Sequence, residues 1–250
     1  MKRILSWIRL YRNWHVRLAN HRIIGGGRKI TLVLRNGTRF RIVSGTNDDG
    51  MLEEIYAKKA YFPEGFGVRE GDVVIDIGAQ KGFFSVLSGS VGARVFSFEP
   101  EPGNFGFLKE NITLNGLGNV KAFNLAVCGK PGKRRLSIDG GNTGGHSMFT
   151  ETGESIEIKC TTLGKIIEKN RIGRVDLLKL DCEGAEYEIL FGMRKNMLSR
   201  IERIVMEHHD IGRFSAKDME RFLQKNGYDV TTSGSYLYAR KITGKPRESI

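Results

Sequence analysis

Apolar and polar positions follow two rhythms along this chain. Ile4, Trp7, Ile8, Tyr11, Trp14 and Leu18 share one side of a helical wheel, and Lys2, Arg3, Ser6, Arg9, Arg12, Asn13 and Arg17 take the other. The spacing predicts one amphipathic helix over 4–18, ended by a Gly25–Gly27 linker. Short strands at 30–34 and 39–43 flank Asn36-Gly37, a hairpin signal that asks for φ > 0 at both central residues. A polar loop over 45–50 and a helix over 51–61, stopped by Pro63, complete an entry segment.

From residue 72 the rhythm changes. Apolar runs at 73–77, 94–98, 120–127, 175–180 and 201–206 alternate with helical stretches running to about 90, over about 101–115, and over 184–192 and 215–226. Residues 133–161 are less regular, with strands expected at 133–138 and 155–161. Runs at 228–232 and 235–241 around Ser233-Gly234 read as an antiparallel closing pair. Buried strands alternating with helices predict an α/β fold, a doubly wound, mostly parallel sheet. The expected division is an N-terminal extension over 1–66, a main domain over 67–243 and a tail over 244–250.

Composition narrows this picture. Hydrophobic residues make up 40% of the 250 and charged residues 27%, enough apolar matter for a core, which excludes a disordered chain. The 32 glycines follow no triplet repeat, which excludes collagen. Net charge is +12, but residues 1–29 alone hold eight basic residues and no acid. The body is nearly balanced, which argues against a nucleic-acid enzyme. Two readings of the terminal helix stay open: it packs on the domain or a partner, or residues 1–24 lie on an anionic membrane surface. Three scattered cysteines, with no C-x-x-C, point to a reducing, cytoplasmic compartment. No apolar stretch suggests a secretory signal or a membrane span.

Chemistry concentrates at the predicted strand ends. Val73–Ile77 carries Asp76 and runs into a turn with Gly78 and Gly82, where glycines would let a backbone approach a ligand. The spacing is neither G-x-G-x-x-G nor a P-loop. Glu99 ends the next strand, 23 residues after Asp76, where a carboxylate can accept both hydroxyls of a ribose. Asn124 and Ala126 border the third strand's turn, a place for a base edge and face. Asp181, Glu183 and Glu186 crowd the fourth strand's end, which implies a cation, proton or ligand there; Glu183 and Glu186 could also be the acidic first turn of a helix. Glu207-His208-His209-Asp210 ends the fifth strand and offers a base or a metal ligand set.

With Val-Ile-Asp-Ile-Gly-Ala at 74–79, Phe-Glu-Pro at 98–100, Asp-Leu-Leu-Lys-Leu-Asp-Cys-Glu-Gly-Ala-Glu at 176–186 and Arg-Asn-Gly-Thr-Arg-Phe at 35–40, the chain resembles the FkbM family of methyltransferases over about 30–240. Gln80 stands where that family usually has Asn, and Cys182 where an aliphatic residue is common. The resemblance implies a class I, Rossmann-like fold and S-adenosylmethionine as cofactor. It also implies O-methylation of a small-molecule, sugar or glycolipid acceptor. Expected cofactor contacts are Asp76, Gly78, Ala79, Gly82, Glu99, Pro100, Asn124, Ala126 and Asp181. Candidates for the base are Asp181, Glu183, Glu207 and His208. Competing readings are a nicotinamide oxidoreductase and a nucleic-acid-binding protein with a degenerate cofactor fold. Loops at 44–66, 139–154 and 207–215 are expected to shape the acceptor pocket, with Gly140–Gly145 closing over substrate.

Overall fold

The computed structural model describes residues 2–23, 27–138, 154–209 and 214–242. The expected closing loop at Gly140–Gly145, most of the Gly25–Gly27 linker, Asp210 and the tail lie outside the described residues. The elements in chain order are α1 (Lys2–Leu10), α2 (Trp14–Ile23), β1 (Lys29–Val33), β2 (Arg39–Val43) and α3 (Asp48–Leu52), which continues as a π turn over Glu53–Ala57. Then come β3 (Val73–Ile77), α4 (Phe83–Ser90), β4 (Arg94–Phe98), α5 (Pro102–Leu114), β5 (Val120–Phe123), β6 (Ala126–Val127), β7 (Gly132–Ile138) and β8 (Glu154–Thr161). The chain closes with α6 (Leu163–Lys169), β9 (Leu177–Leu180), α7 (Glu186–Phe191), α8 (Lys195–Leu198), β10 (Arg203–Glu207), α9 (Ala216–Lys225), β11 (Tyr228–Ser233) and β12 (Tyr236–Lys241).

Seven strands form the main sheet in the order β11-β12-β10-β9-β3-β4-β5. The five consecutive strands from β10 to the β5 edge pair in parallel, and β12 runs antiparallel between β10 and β11, so the closing pair is as expected. Strand alternation divides the core between two faces. Ile75, Phe96, Leu178 and Ile204 pack with α6, α7 and α9 residues such as Ile167, Leu190 and Leu223. Val74, Val95, Leu177 and Val205 pack on the other face with Phe83, Phe40, Leu32 and Trp7. The N-terminal extension is thus a layer of the core.

The extension corrects two expectations. The helix over 4–18 is two helices, broken at 11–13. There Arg12 donates its backbone N–H to Val33, and the Asn13 amide bridges Thr31 and Val33 of β1. A side chain that satisfies a strand's backbone competes with helix continuation. Trp7 and Tyr11 are buried, so the domain covers the middle of the apolar stripe, with Ile8, Trp14 and Leu18 partly exposed. The hairpin forms at the expected place with a different turn. Gly37 has φ of 92°, whereas Asn36 is not in the left-handed region. Gly37 N–H donates to the Leu34 carbonyl, and Asn36 Oδ1 accepts from Thr38 N–H. This is a type I turn followed by a left-handed glycine. Gly37→Ala meets no steric obstacle, so its cost should be purely conformational, about 1 kcal/mol, readable from urea midpoints.

Three further differences bear on the site. The expected strand 120–127 is two strands, because the Asn124 amide donates to the carbonyls of Glu99 and Pro100 and turns the chain off the main sheet. β6 then joins β8 and β7 in a separate three-stranded sheet. The helix expected over 51–61 begins earlier, at Asp48, and its π turn ends at Ala57. Buried Asp48 accepts from Val43 N–H and pairs with buried Lys81, tying the extension to the glycine turn.

Candidate active site

The carboxyl ends of β3, β4, β9 and β10 meet around two buried charges. Lys179 is the polar residue of an otherwise apolar strand, and its side chain is 4% exposed. Its Nζ donates to the Gly78 carbonyl at 2.7 Å and lies 3.2 Å from Asp76 Oδ1 and 3.4 Å from Asp181 Oδ2. Burial opposes the ammonium, but Asp76 and Asp181 outweigh it and raise its pKa. Ser85 donates to the other Asp76 oxygen. Asp76 therefore faces the interior and braces the strand ends; it does not line the cleft where it was expected.

The first cleft encloses about 590 Å³, part of it open to solvent, between Gly78, Gln80, Glu99, Pro100, Ala126 and Asp181. Phe98, Leu125 and Val127 supply its apolar wall. Glu99 Oε2 accepts from Gln80 N–H and Oε1 from Glu101 N–H, both at 2.8 Å. Burial pushes its carboxyl up to about 7, against the pull of those two donors. Gln80 is 7% exposed, and neither end of its amide has a partner among the described residues. A buried amide in that state is costly unless a ligand completes it. Gly78 lines the cleft as expected, and packing adds a further demand on both turn glycines. A Cβ on Gly78 would meet the Asp181 carbonyl oxygen at 1.7 Å, and one on Gly82 would meet Leu108 at 2.5 Å. Both are needed for packing of the turn, and Gly82 lies off the cleft. So does Ala79, whose N–H is spent on the Phe98 carbonyl. Asn124 also stays outside the cleft; it fixes the backbone that carries Glu99 and Pro100.

A second, polar cavity adjoins the first and shares Met51, Asp181 and Glu183 with it. Glu54, Tyr61, Glu207 and His209 also line it, with Asn47 and Ile55. The Tyr61 hydroxyl lies 2.9 Å from Asp181 Oδ2 and 3.1 Å from Glu207 Oε2. One phenolic proton cannot serve two carboxylates, so this trio favours holding a further proton. Burial, then Asp181, raises the Glu207 carboxyl. Burial keeps the Tyr61 phenol protonated.

His208 is not part of this cavity. Alternation beyond β10 turns Glu207 and His209 toward it and His208 away, with His208 N–H donating to the Ser235 carbonyl. His209 takes the place expected of His208. Its Nδ1 is 3.2 Å from Glu186 Oε1 and its Nε2 3.5 Å from Glu183 Oε2. Burial opposes its charge, yet the hydrogen bond and ion pair with Glu186 hold it up at about 9. Glu183 is not on the helix with Glu186. It sits at φ of 53° in the preceding turn, and α7 begins at Glu186. Glu186 is fully buried and accepts from Cys182 N–H.

The strand order, the glycine turn and an acid ending the neighbouring strand define a class I methyltransferase fold. A family model described as the methyltransferase FkbM domain matches residues 76–230. The chain belongs to the FkbM family of S-adenosylmethionine-dependent methyltransferases. It is 27% identical over 242 residues to the 31-O-demethyl-FK506 methyltransferase FkbM of Streptomyces tacrolimicus, covering 84% of this chain and 92% of that one. It is 30% identical over 143 residues to the hexuronic acid methyltransferase AglP of Haloferax volcanii, covering 56% of this chain and 57% of that one. A crystal structure of an FkbM methyltransferase from Methylobacillus flagellatus KT superposes with a TM-score of 0.49 at 14% identity, over 72% of this chain and 46% of that one. Among the described residues no helix is long and apolar enough to cross a membrane.

Proposed function

We propose that this chain transfers a methyl group from S-adenosylmethionine to a hydroxyl of a small polar acceptor, a sugar or a natural product. The observation that carries this reading is the pair of adjoining clefts with a common wall at Asp181. The first suits a nucleoside: a carboxylate for a ribose, an apolar wall for a base, and an orphaned amide at Gln80. The second is lined by carboxylates and a phenol. The acceptors in the relatives' names, 31-O-demethyl-FK506 and a hexuronic acid, support an oxygen acceptor.

When bound, S-adenosylmethionine supplies an electrophilic methyl on a sulfonium and leaves as a neutral thioether. Glu99 would accept from its ribose hydroxyls, and Leu125 and Ala126 would flank its base. Gln80 would complete its amide on the cofactor's polar groups. On the acceptor side, alignment supplies much of the rate. The acceptor oxygen forms its bond to the methyl carbon as the carbon–sulfur bond breaks and its electron pair goes to sulfur. The hydroxyl proton passes to the Asp181–Tyr61–Glu207 trio, where Asp181 or Glu207 receives it.

Tyr61→Phe keeps the ring packed between Phe84 and Tyr236 and removes only the oxygen that couples the carboxylates. Turnover is expected to fall about tenfold or more, with cofactor affinity unchanged. A radiolabelled-methyl assay against sugar and natural-product fractions measures this. Full activity in Tyr61→Phe would remove the trio from the mechanism, and no labelled product from any hydroxylated fraction would count against the acceptor class.

A further inference from the structure

Nothing in the methyl-transfer reading uses His209, which lines the acceptor cavity and faces both Glu183 and Glu186. Asp181, Glu183 and His209 each offer one ligand atom, and these atoms lie within 4.8 Å of one another. We infer that Asp181, Glu183 and His209 form a divalent-cation site in the acceptor cavity. The ion's task there rests on that cavity's reading as the acceptor site, whereas its binding does not.

Two features beyond the carboxylates point to this. The first is how His209 is held. Fully buried Glu186 faces Nδ1, which leaves Nε2 turned toward Glu183. A histidine that ligates a metal through one ring nitrogen regularly donates the other N–H to a carboxylate, which fixes the ring and strengthens the ligating atom. The second is how Asp181 is held. Its Oδ2 takes the Tyr61 hydroxyl and faces Lys179, whereas Oδ1 makes no hydrogen bond among the described residues. One oxygen is anchored and the other is left to ligate.

The donor set selects the ion. Two carboxylates without a thiolate suit an octahedral Mn²⁺ type of ion, and the imidazole disfavours the oxygen-seeking Mg²⁺. At a metal–oxygen distance of about 2.1 Å, cis ligands in such an octahedron are about 3.0 Å apart and one trans pair about 4.2 Å, so side-chain rotations would have to draw the three donors in from their 4.8 Å span. Three protein ligands leave positions for acceptor oxygens. The ion would lower the pKa of a coordinated hydroxyl and so reduce what is asked of the Asp181–Tyr61–Glu207 trio. On binding, the ring proton at Nε2 is displaced to solvent, and Nδ1–H stays on Glu186.

The test is a Mn²⁺ titration of the full chain after chelator treatment and dialysis, followed by electron paramagnetic resonance. One Mn²⁺ per chain is expected, with electron-spin-echo modulation from a directly bound imidazole nitrogen. His209→Gln should abolish that modulation. Asp181→Asn and His209→Gln should each weaken binding by about a hundredfold or more, beyond the 10–100-fold typical of outer-sphere partners. Glu110→Gln, at an exposed carboxylate paired with Lys29, should not weaken it. Nitrogen modulation in the wild type supports the site even if a variant fails to fold. Binding without it, equal binding to His209→Gln, or no Mn²⁺ binding at all overturns the site and leaves His209 as a counter-ion for Glu183 and Glu186. A parallel titration with S-adenosylmethionine separates the two readings: cofactor binding without Mn²⁺ binding sinks the metal site alone, and the converse sinks the cofactor cleft alone.

Discussion

Lys179→Met is expected to destabilise the protein by about 3–5 kcal/mol, the usual cost of stripping one partner from a buried ion cluster. Methionine nearly matches the volume, so the loss is electrostatic. Asp76 is fully buried, and the Lys179 ammonium is its ion-pair partner. Without that ammonium, Asp76 and Asp181 repel each other across the ends of adjacent strands β3 and β9, and the Gly78 carbonyl loses its donor. In a chain of this size such a change lowers the melting temperature by on the order of 10 °C. Urea titration followed by circular dichroism measures it. The double variant Lys179→Met/Asp76→Asn should recover part of the loss, because the stranded charge is removed with its partner. A loss below about 1 kcal/mol in the single variant would mean that water reaches the cluster, and would leave it no structural role.

Glu99→Ala is expected to weaken S-adenosylmethionine binding by about a hundredfold or more, from the loss of two charge-assisted hydrogen bonds of about 1.5–3 kcal/mol each. Its own backbone partners, the buried Gln80 N–H and the half-buried Glu101 N–H, would be left to water entering the space that the side chain vacates beside the cleft. Stability should therefore change far less than affinity. The sign of the stability effect follows from the carboxyl's position near 7. A carboxyl raised in the folded state takes up a proton on folding between about pH 4.5 and 7, so its ionisation subtracts stability as pH rises through that window. Glu99→Gln should flatten that part of the melting-temperature profile. It should still weaken the cofactor, because a neutral amide is a poorer partner for a diol.

Much of this architecture was legible in the chain because local signals and global packing agree. Apolar runs such as 73–77 and 94–98 are buried on both faces and need no partner to be recognised. Asn36-Gly37 marked the hairpin, although the turn type depended on a hydrogen bond from Thr38 to the Asn36 side chain. Failures occur where a side chain satisfies backbone from another element. Asn13 ends a helix on β1, and Asn124 divides a strand by holding the backbone after β4.

The candidate site was legible by position more than by role. Glu99, Asp181, Glu183 and Glu207 all reach the clefts, since they end strands at the carboxyl edge of the sheet. Asp76 has the same address, but Lys179 draws it inward. Lys179 did carry a signal, a lysine inside an apolar strand, which asks for a buried carboxylate. Gln80 stood out as a departure from the family's asparagine, without showing that its amide would be orphaned. Tyr61 carried none, because it meets Asp181 from 120 residues away. The choice between His208 and His209 depended on a strand parity that becomes definite only when the end of β10 is in register with β12.

Calorimetric titration of the wild-type chain with S-adenosylmethionine, repeated from pH 8 to pH 6, tests the central claim most directly. One site per chain is expected. Affinity should be greatest at pH 8 and fall as pH drops through about 7, where protonation of Glu99 removes the charge that receives the ribose. The same series on Glu99→Gln should be weak and flat. Absence of binding at pH 8, or wild-type affinity that Glu99→Gln leaves unchanged, would contradict the assignment of this cleft to the cofactor.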